Sequence, residues 1–136
     1  MTDHKIKRVK DVMHARYCRV DGVMTVDQAI ALMKSEDAVA LLIDKQNADD
    51  EYGLVLLTDI ARHVLAKGRA PERVNLFEIM SKPALSVPAD MQLRYCARLF
   101  QRFAIGIAPV ADRSGEIIGM VDYRDLVLGS LDDSVQ

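Results

Sequence analysis

Gly53-Leu-Val-Leu-Leu-Thr-Asp-Ile60 and Gly119-Met-Val-Asp-Tyr-Arg-Asp-Leu126 are two versions of one segment in a chain of 136 residues. Glycine, valine and aspartate occupy matching places in both, and the apolar positions agree. Each version indicates a short strand that runs directly into a helix with an acidic residue in its first turn. Because collinear self-similarity marks repeat architectures, the chain is predicted to contain two copies of one structural half.

Similarity between the halves extends upstream of these segments. Val9-Lys-Asp-Val-Met13 resembles Leu76-Phe-Glu-Ile-Met80, since each combines two apolar residues and a methionine with an acidic residue. We call these two stretches the lead-in segments. Keeping the offset between them aligns further apolar positions, namely Val20 with Val87, Met24 with Met91 and Leu32 with Leu99. One register therefore covers both halves, apart from a slip in the turn region.

Local signals predict the elements of the first half. Thr25-Val-Asp-Gln28 has the form of a capping box, which starts a helix. Apolar runs predict strands at Ala38–Ile43 and Gly53–Leu57. A second helix is predicted at Thr58–Lys67, and Gly68 is placed to end it in the left-handed conformation.

The second half repeats this order. Asp90 is predicted to cap a helix that runs to Phe103. The later elements are a strand at Ile105–Ala111, a hairpin turn at Asp112–Gly115, a strand at Ile117–Val121 and a helix from Tyr123 to Leu131. With a short strand ahead of its first predicted helix, each half has the order β-α-β-β-α. Since one half alone buries too little surface, we expect an α/β (α+β) fold of two pseudo-twofold-related halves packed through their sheets.

Composition limits the class of protein. Half of the residues are hydrophobic, 28% are charged and the formal net charge is −2, which suits a globular domain. This charge disfavours a nucleic-acid partner, and no apolar run is long enough to span a membrane. The charged N-terminus lacks a signal peptide, so a cytoplasmic location is expected. Cys18 and Cys96 form no CxxC pair and are expected as free thiols.

Two further motifs in the second half point to a family. Leu85-Ser-Val-Pro-Ala-Asp90 precedes the predicted helix, and Ile107-Ala-Pro-Val110 lies in the predicted strand. With the lead-in segments and the two Gly-to-Asp junctions, they resemble the tandem CBS-domain pair, or Bateman module. The resemblance covers residues 9 to about 131 and identifies the chain as a stand-alone CBS-domain protein.

The resemblance implies a single CBS-pair module with no independent domains. Its linker is polar, and Pro71 within it opposes continuation of a helix. The implied parts are an N-terminal arm at 1–8, CBS repeat 1 at 9–68, the linker at 69–75, CBS repeat 2 at 76–131 and a C-terminal tail at 132–136.

The resemblance also implies a ligand. In CBS pairs, adenosine ligands such as AMP, ADP, ATP or S-adenosylmethionine bind in the clefts between the repeats. The junction aspartate holds the ribose hydroxyls, for which a carboxylate is suited because it accepts charge-assisted hydrogen bonds. The serine or threonine that precedes the first long helix of a repeat, which we call the lead-in hydroxyl, lines the base together with the strand motif. The candidate ligand-binding residues are Asp125, Ser86, Ile107, Pro109, Val110 and Arg124 in the second repeat, with Asp59 and Thr58 in the first.

The chain departs from the family pattern at several places. Leu56 and Asp122 replace the hydroxyl that lies near phosphate, and the first half also has Arg19 for the lead-in hydroxyl and Leu42 for the strand proline. The second repeat is therefore predicted to supply the working pocket. Because the Asp122 carboxylate repels an anion, which Arg124 offsets in part, the ligand is predicted to carry few phosphates or a positive charge, as S-adenosylmethionine does.

Two functional interpretations stay open. The first is a regulatory module that binds an adenosine ligand and relays its presence to an unknown protein partner. The alternative is a dimerisation or adaptor module without a ligand. Asp59 and Asp125 would then only stabilise helix N-termini, by about 0.3–1 kcal/mol each. The resemblance implies a homodimer formed through the CBS helices in either case.

Catalytic and metal chemistry lack sequence support. No nucleophile elbow, phosphate-binding glycine loop or paired acid and base motif occurs, so the chain is not expected to be an enzyme. His4, His14 and His63 show no ligand spacing with one another or with cysteine, and no metal site is expected.

Overall fold

The structure, a computed structural model, describes residues 6–131. Most of the predicted N-terminal arm, including His4, and the tail at 132–136 lie outside the described residues. The elements in chain order are α1 (Val9–Val12), β1 (Tyr17–Val20), α2 (Val26–Glu36), β2 (Ala40–Ile43), β3 (Gly53–Leu56), α3 (Leu57–Ile60), a π turn (Ala61–Leu65), 3₁₀ turns (Pro71–Arg73 and Leu76–Glu78), β4 (Val87–Pro88), α4 (Leu93–Phe103), β5 (Ile107–Ala111), β6 (Ile117–Asp122) and α5 (Tyr123–Leu128).

The predicted β-α-β-β-α order is confirmed in both halves. The strands form two separate three-stranded sheets, in the orders β1-β2-β3 and β4-β5-β6. In each sheet the first pair of strands is parallel and the second pair is an antiparallel hairpin. The fold is therefore mixed α/β and is built twice on one plan.

Local capping chemistry explains where most elements start and stop. The Gln28 side chain accepts a hydrogen bond from the Thr25 amide at 3.1 Å, which confirms the predicted capping box of α2. Gly68 has a φ of 64°, the left-handed conformation predicted for it. Gly115 has a φ of 89° in the predicted hairpin turn, where Asp112 accepts from the Ser114 amide at 2.9 Å.

Asp90 does not cap α4, so that prediction is wrong. The helix begins at Leu93 after an extended Gln92. The Asp90 carboxylate instead lies 2.9 Å from the Lys10 ammonium and 3.3 Å from the Arg113 Nε. Two cations from other segments attract the carboxylate away from the helix end, which a local pattern does not reveal.

Two helices are shorter than predicted. The helix expected over 58–67 is an α turn at Leu57–Ile60 followed by the π turn at Ala61–Leu65. The last helix ends at Leu128, before Gly129, instead of at Leu131. None of the described helices is long and apolar enough to cross a bilayer.

The chain divides into two compact units that do not coincide with the sequence repeats. We call Arg16–Ala84 the A unit, and residues 6–15 with 85–131 the B unit. Each lead-in segment lies in the unit that contains the other repeat's strands and helices. Residues 9–15 pack with the second repeat, and residues 76–84 pack with the first.

Each unit has its own apolar core. In the A unit, Leu41 and Val55 are fully buried among helix and strand side chains. In the B unit, Phe100 and Val110 are fully buried in the same way. Both cysteines are free thiols, and burial raises the pKa of the Cys96 thiol in the B core to about 11.

Glycines at the starts of the two junctions make room for the lead-in methionines. A Cβ added at Gly53 would lie 2.6 Å from the Met80 sulfur, and one added at Gly119 would lie 2.8 Å from the Met13 sulfur. Both distances are shorter than any ordinary van der Waals contact. The glycine of one repeat and the methionine of the other therefore form one packing motif, used once in each unit.

We expect Gly119→Ala to lower the free energy of unfolding by about 1–3 kcal/mol, because the added methyl group overpacks against Met13. Adding Met13→Ala should recover part of the loss, and urea denaturation measures both effects. Gly106→Ala is the matched control, since its Cβ would lie at an ordinary 3.5 Å from the Tyr123 ring. Equal stability of the Gly119 and Gly106 variants would show that the motif contributes nothing.

Candidate functional site

One end of the B-unit sheet brings Ile107 of the strand motif close to the junction residues Arg124 and Asp125. Ile107 opens β5 and pairs with Asp122, the last residue of β6. The Tyr123 amide donates to the Gly106 carbonyl at 3.2 Å, which closes this edge where α5 begins. Ser86 immediately precedes β4, which runs parallel to β5. The start of β5 thus meets the end of β6, whereas Ser86 lies farther along the sheet, because the next residue, Val87, pairs with Val110 near the end of β5.

Asp122 and Asp125 hold each other through the backbone at the start of α5. The Asp122 carboxylate accepts from the Asp125 amide at 2.9 Å, and the Asp125 carboxylate accepts from the Asp122 amide at 2.9 Å. This reciprocal pattern is a capping box. Asp125 therefore has the structural role considered from the sequence, and the same hydrogen bonds fix both carboxylates in one orientation.

His14 is the residue that sequence reasoning missed. The backbone that follows the first lead-in segment brings His14 close to Asp122 and Asp125, since the main chain of His14 exchanges two hydrogen bonds of 2.8 Å with that of Met120 on β6. Its Nε2 atom lies 3.5 Å from an oxygen of Asp122 and 3.5 Å from an oxygen of Asp125. No local spacing could reveal this cluster, because His14 is far from both aspartates in the chain.

The two carboxylates differ in their tendency to ionise. Burial raises the pKa of Asp125, and the adjacent charge of Asp122 adds to this rise. Burial acts in the same direction on Asp122, but the Asp125 amide and the nearby His14 outweigh it and hold the pKa of Asp122 below its usual value. As the pH falls, Asp125 is therefore the first of the two to take up a proton.

The strand motif of the second repeat has two faces. Val110 is fully buried in the B core, so its side chain is committed to packing. Ile107 and Pro109 alternate with it and lie on the other face of β5, with Ile107 only half-buried. Because Pro109 is buried, Ile107 is the residue of the motif whose side chain is accessible as a wall for a flat base.

The first repeat offers a different edge. Asp59 accepts from the Leu56 amide at 2.8 Å, so it holds the same helix position as Asp125, and Thr58 beside it is exposed. Arg19 contacts the Asp44 carboxylate at 2.8 Å and the Tyr52 hydroxyl at 3.2 Å. At the positions of Asp122 and His14 the A unit has Leu56 and Ser81, so its junction lacks the second carboxylate and the imidazole.

The B-unit edge combines acceptors, a cation and apolar surface. The side chains of Asp122 and Asp125 keep 29% and 17% of their surface exposed, so both remain within reach of a bound molecule. Arg124 lies exposed between them in the chain and adds one positive charge, and Ser86 is exposed as well. Such an edge can bind hydroxyl groups and cations beside a flat apolar group.

Comparisons with known sequences agree with this architecture. The model of the CBS domain matches residues 76–131. The chain is 27% identical over 123 residues to the CBS domain-containing protein YhcV of Bacillus subtilis, covering 90% of this chain and 85% of YhcV. It is 26% identical over 98 residues to protein MK0525 of Methanopyrus kandleri, covering 72% of this chain. The chain spans 50% of MK0525 and 24% of a homoserine O-acetyltransferase of Methanococcus vannielii, to which it is 22% identical.

Solved structures share the fold over nearly the whole chain. A hexameric CBS-CP12 protein from bloom-forming cyanobacteria superposes with a TM-score of 0.87 at 30% identity, covering 96% of this chain and 75% of that one. The CBS pair of protein MJ0100, solved with 5′-methylthioadenosine and S-adenosyl-L-methionine, gives a TM-score of 0.75 at 20% identity, covering 93% of this chain and 98% of that one. The cytosolic domain of the Mg²⁺ channel MgtE with ATP gives 0.70 at 24% identity, covering 91% and 48%. The chain belongs to the CBS-domain family, as a tandem pair of CBS repeats.

Proposed function

We propose that this CBS pair is a regulatory module whose second repeat binds an adenosine-type ligand. One observation carries the proposal: Ile107 and the Asp125 carboxylate, predicted from separate motifs, lie at the same end of one sheet, because Ile107 pairs with Asp122 where α5 begins. The ribose hydroxyls would bind Asp125, and the base would pack on the accessible side chain of Ile107. The bound state would then be relayed to a protein partner, which requires different ligand affinities of two conformations.

The ligands of related proteins support this class of molecule. The MJ0100 pair was solved with two sulfur-containing derivatives of adenosine, and the MgtE domain was solved with ATP. At 20% and 24% identity, these two structures have the fold in common with this chain. The choice among AMP, ADP, ATP and S-adenosylmethionine depends on the charges at this edge.

The charges at this edge favour a ligand that carries few phosphates. Asp122 stands where the family has a hydroxyl near phosphate, and its pKa is lowered, so the carboxylate is charged at neutral pH. A negative charge there repels a polyphosphate and attracts a sulfonium or amino group. Arg124 offsets this effect only in part because it is exposed to solvent. We therefore expect S-adenosylmethionine or AMP to bind more tightly than ATP.

A calorimetric titration in EDTA with S-adenosylmethionine, AMP and ATP tests the proposal. We expect measurable binding of S-adenosylmethionine or AMP, and a loss of about tenfold or more in Asp125→Asn, since removing a charged hydrogen-bond partner costs about 1.5–3 kcal/mol. Asp59→Asn is the matched control, because it changes the corresponding capping residue of the A unit. Tight binding of ATP alone would contradict the charge argument.

An adaptor module without a ligand is the second candidate. The observation that favours it is the apolar surface on the helices. Ile30, Leu57 and Leu65 are each at least 38% exposed, and they line a groove of about 330 Å³ in the A unit. A second copy of the chain, forming the homodimer predicted above, would cover such a surface. Absence of binding by all three adenosine ligands would favour this adaptor function.

The cytoplasmic location, the homodimer and the regulated partner remain predictions. The hexameric state of the CBS-CP12 protein shows that a related chain self-associates. The absence of catalytic motifs keeps the proposed role regulatory, with the chemistry carried out by whichever protein the module controls.

A further inference from the structure

We propose that His14, Asp122 and Asp125 of the B unit form a binding site for a divalent transition-metal ion of the Zn²⁺ class. The three side chains come from two distant parts of the chain, the residue that follows the first lead-in segment and the β6–α5 junction. The proposal does not depend on the adenosine ligand, since it rests on the donor atoms alone.

The distances between the donor atoms fit a metal. The His14 Nε2 atom lies 3.5 Å from Asp122 Oδ2 and 3.5 Å from Asp125 Oδ2. These separations exceed a normal N–H···O hydrogen bond of about 2.7–3.2 Å. Two ligand atoms that each bind a tetrahedral metal at about 2.1 Å lie about 3.4 Å apart. Two of the three donor separations thus match those around a bound ion, and all three donor atoms lie within 4.8 Å of one another.

The donors also suit the charge and type of such an ion. One imidazole nitrogen and two carboxylate oxygens are ligands that Zn²⁺ and similar ions accept. The two carboxylates supply two negative charges to balance a dication. Backbone amides hold both aspartates in place. The Asp125 amide donates to Asp122 Oδ1, which leaves Asp122 Oδ2 to the ion, whereas Asp125 Oδ2 accepts from the Asp122 amide and would share its lone pairs with the ion. Ligands fixed before binding lose little conformational freedom when the ion arrives.

The corresponding positions of the A unit show whether the fold itself requires the residues that would bind the metal. Ser81 exchanges two hydrogen bonds of 2.9 Å with Leu54, as His14 does with Met120. The A unit thus has the same backbone arrangement. Its junction has Leu56 where the B unit has Asp122, and Asp59 alone suffices as the capping acid. The fold therefore requires neither an imidazole nor a second carboxylate at these positions.

Three protein ligands leave a fourth coordination position open. The three side chains are 17–29% exposed, so that position is within reach of water or of a small molecule. The Asp125 carboxylate keeps its other oxygen, Oδ1, for a hydroxyl group. The metal and the proposed ligand can therefore occupy the same sheet edge.

Titration of the full, tag-free chain with Zn²⁺ after EDTA treatment and its removal tests the site. We expect one ion per chain by calorimetry, and visible absorption bands of four-coordinate Co²⁺ when Co²⁺ replaces Zn²⁺. His14→Gln and, separately, Asp122→Asn should each weaken Zn²⁺ binding by at least about tenfold. His63→Gln and Asp59→Asn are the controls and should bind as the unchanged chain does. Circular dichroism shows whether each variant is folded.

The outcomes separate the two proposals. Zn²⁺ binding that His14→Gln and Asp122→Asn leave unchanged, or that His63→Gln abolishes, would overturn the metal site. Absence of Zn²⁺ binding and of Co²⁺ bands would overturn it as well. Because the adenosine titrations are run in EDTA, failure of metal binding leaves their result intact, and the reverse holds too.

Discussion

Phe100→Ala is expected to lower the free energy of unfolding by about 3–5 kcal/mol, the usual cost of truncating a buried phenylalanine. Phe100 is 0% exposed on α4 and belongs to the core of the B unit. Its ring meets the Tyr123 ring edge-on, with centroids 5.3 Å apart. Truncation removes this contact and leaves a cavity between α4 and the start of α5. Native domains are stable by only about 5–15 kcal/mol, so the loss is a large fraction of the total.

Phe103→Ala is the matched control for this experiment. Phe103 ends the same helix but is 53% exposed, so its truncation should change stability by no more than about 0.5 kcal/mol. Urea denaturation followed by circular dichroism measures both variants, with m-values compared to confirm that the same surface unfolds. Similar losses for the two phenylalanines would contradict the packing described for the B unit.

Leu41→Ala is expected to cost about 2–5 kcal/mol. Leu41 lies in the central strand β2 of the A unit, between Cys18 on β1 and Val55 on β3, and it is 0% exposed. Its side chain belongs to the same core as Val64 after α3. A cavity at the centre of a sheet can collapse little, because the ladders of hydrogen bonds on both sides hold the backbone in place.

Leu128→Ala serves as the control, since this leucine ends α5 with 61% of its surface exposed. Thermal unfolding and urea denaturation should both rank Leu41→Ala far below Leu128→Ala in stability. A cost under about 1 kcal/mol for Leu41→Ala would mean that the core of the A unit tolerates a cavity at its centre.

The elements of the fold were largely predictable from local patterns. The capping box at Thr25, the left-handed Gly68 and the turn at Asp112 are each set by residues a few positions apart, and the structure confirms all three. The Asp90 cap failed for the opposite reason. Its carboxylate is held by Lys10 and Arg113, which come from other parts of the chain.

The candidate site was predictable only in part. The motifs led to Asp125 and to Ile107, and the strand register places both near the end of β6. They did not show that Val110 is committed to the core, since a four-residue motif does not state which strand face is covered. They also did not reveal the cluster that Asp122 and Asp125 form with His14.

The sequence by itself determined the twofold repeat, the β-α-β-β-α order and the family, because periodicity, caps and junction motifs act over short stretches of chain. The tertiary structure alone decided that each lead-in segment packs with the strands of the other repeat. This exchange places Met13 on Gly119 and His14 beside two carboxylates. Contacts between distant segments depend on where the folded backbone returns, and the shape of the space that Gly119 leaves open becomes visible only when both segments are in place.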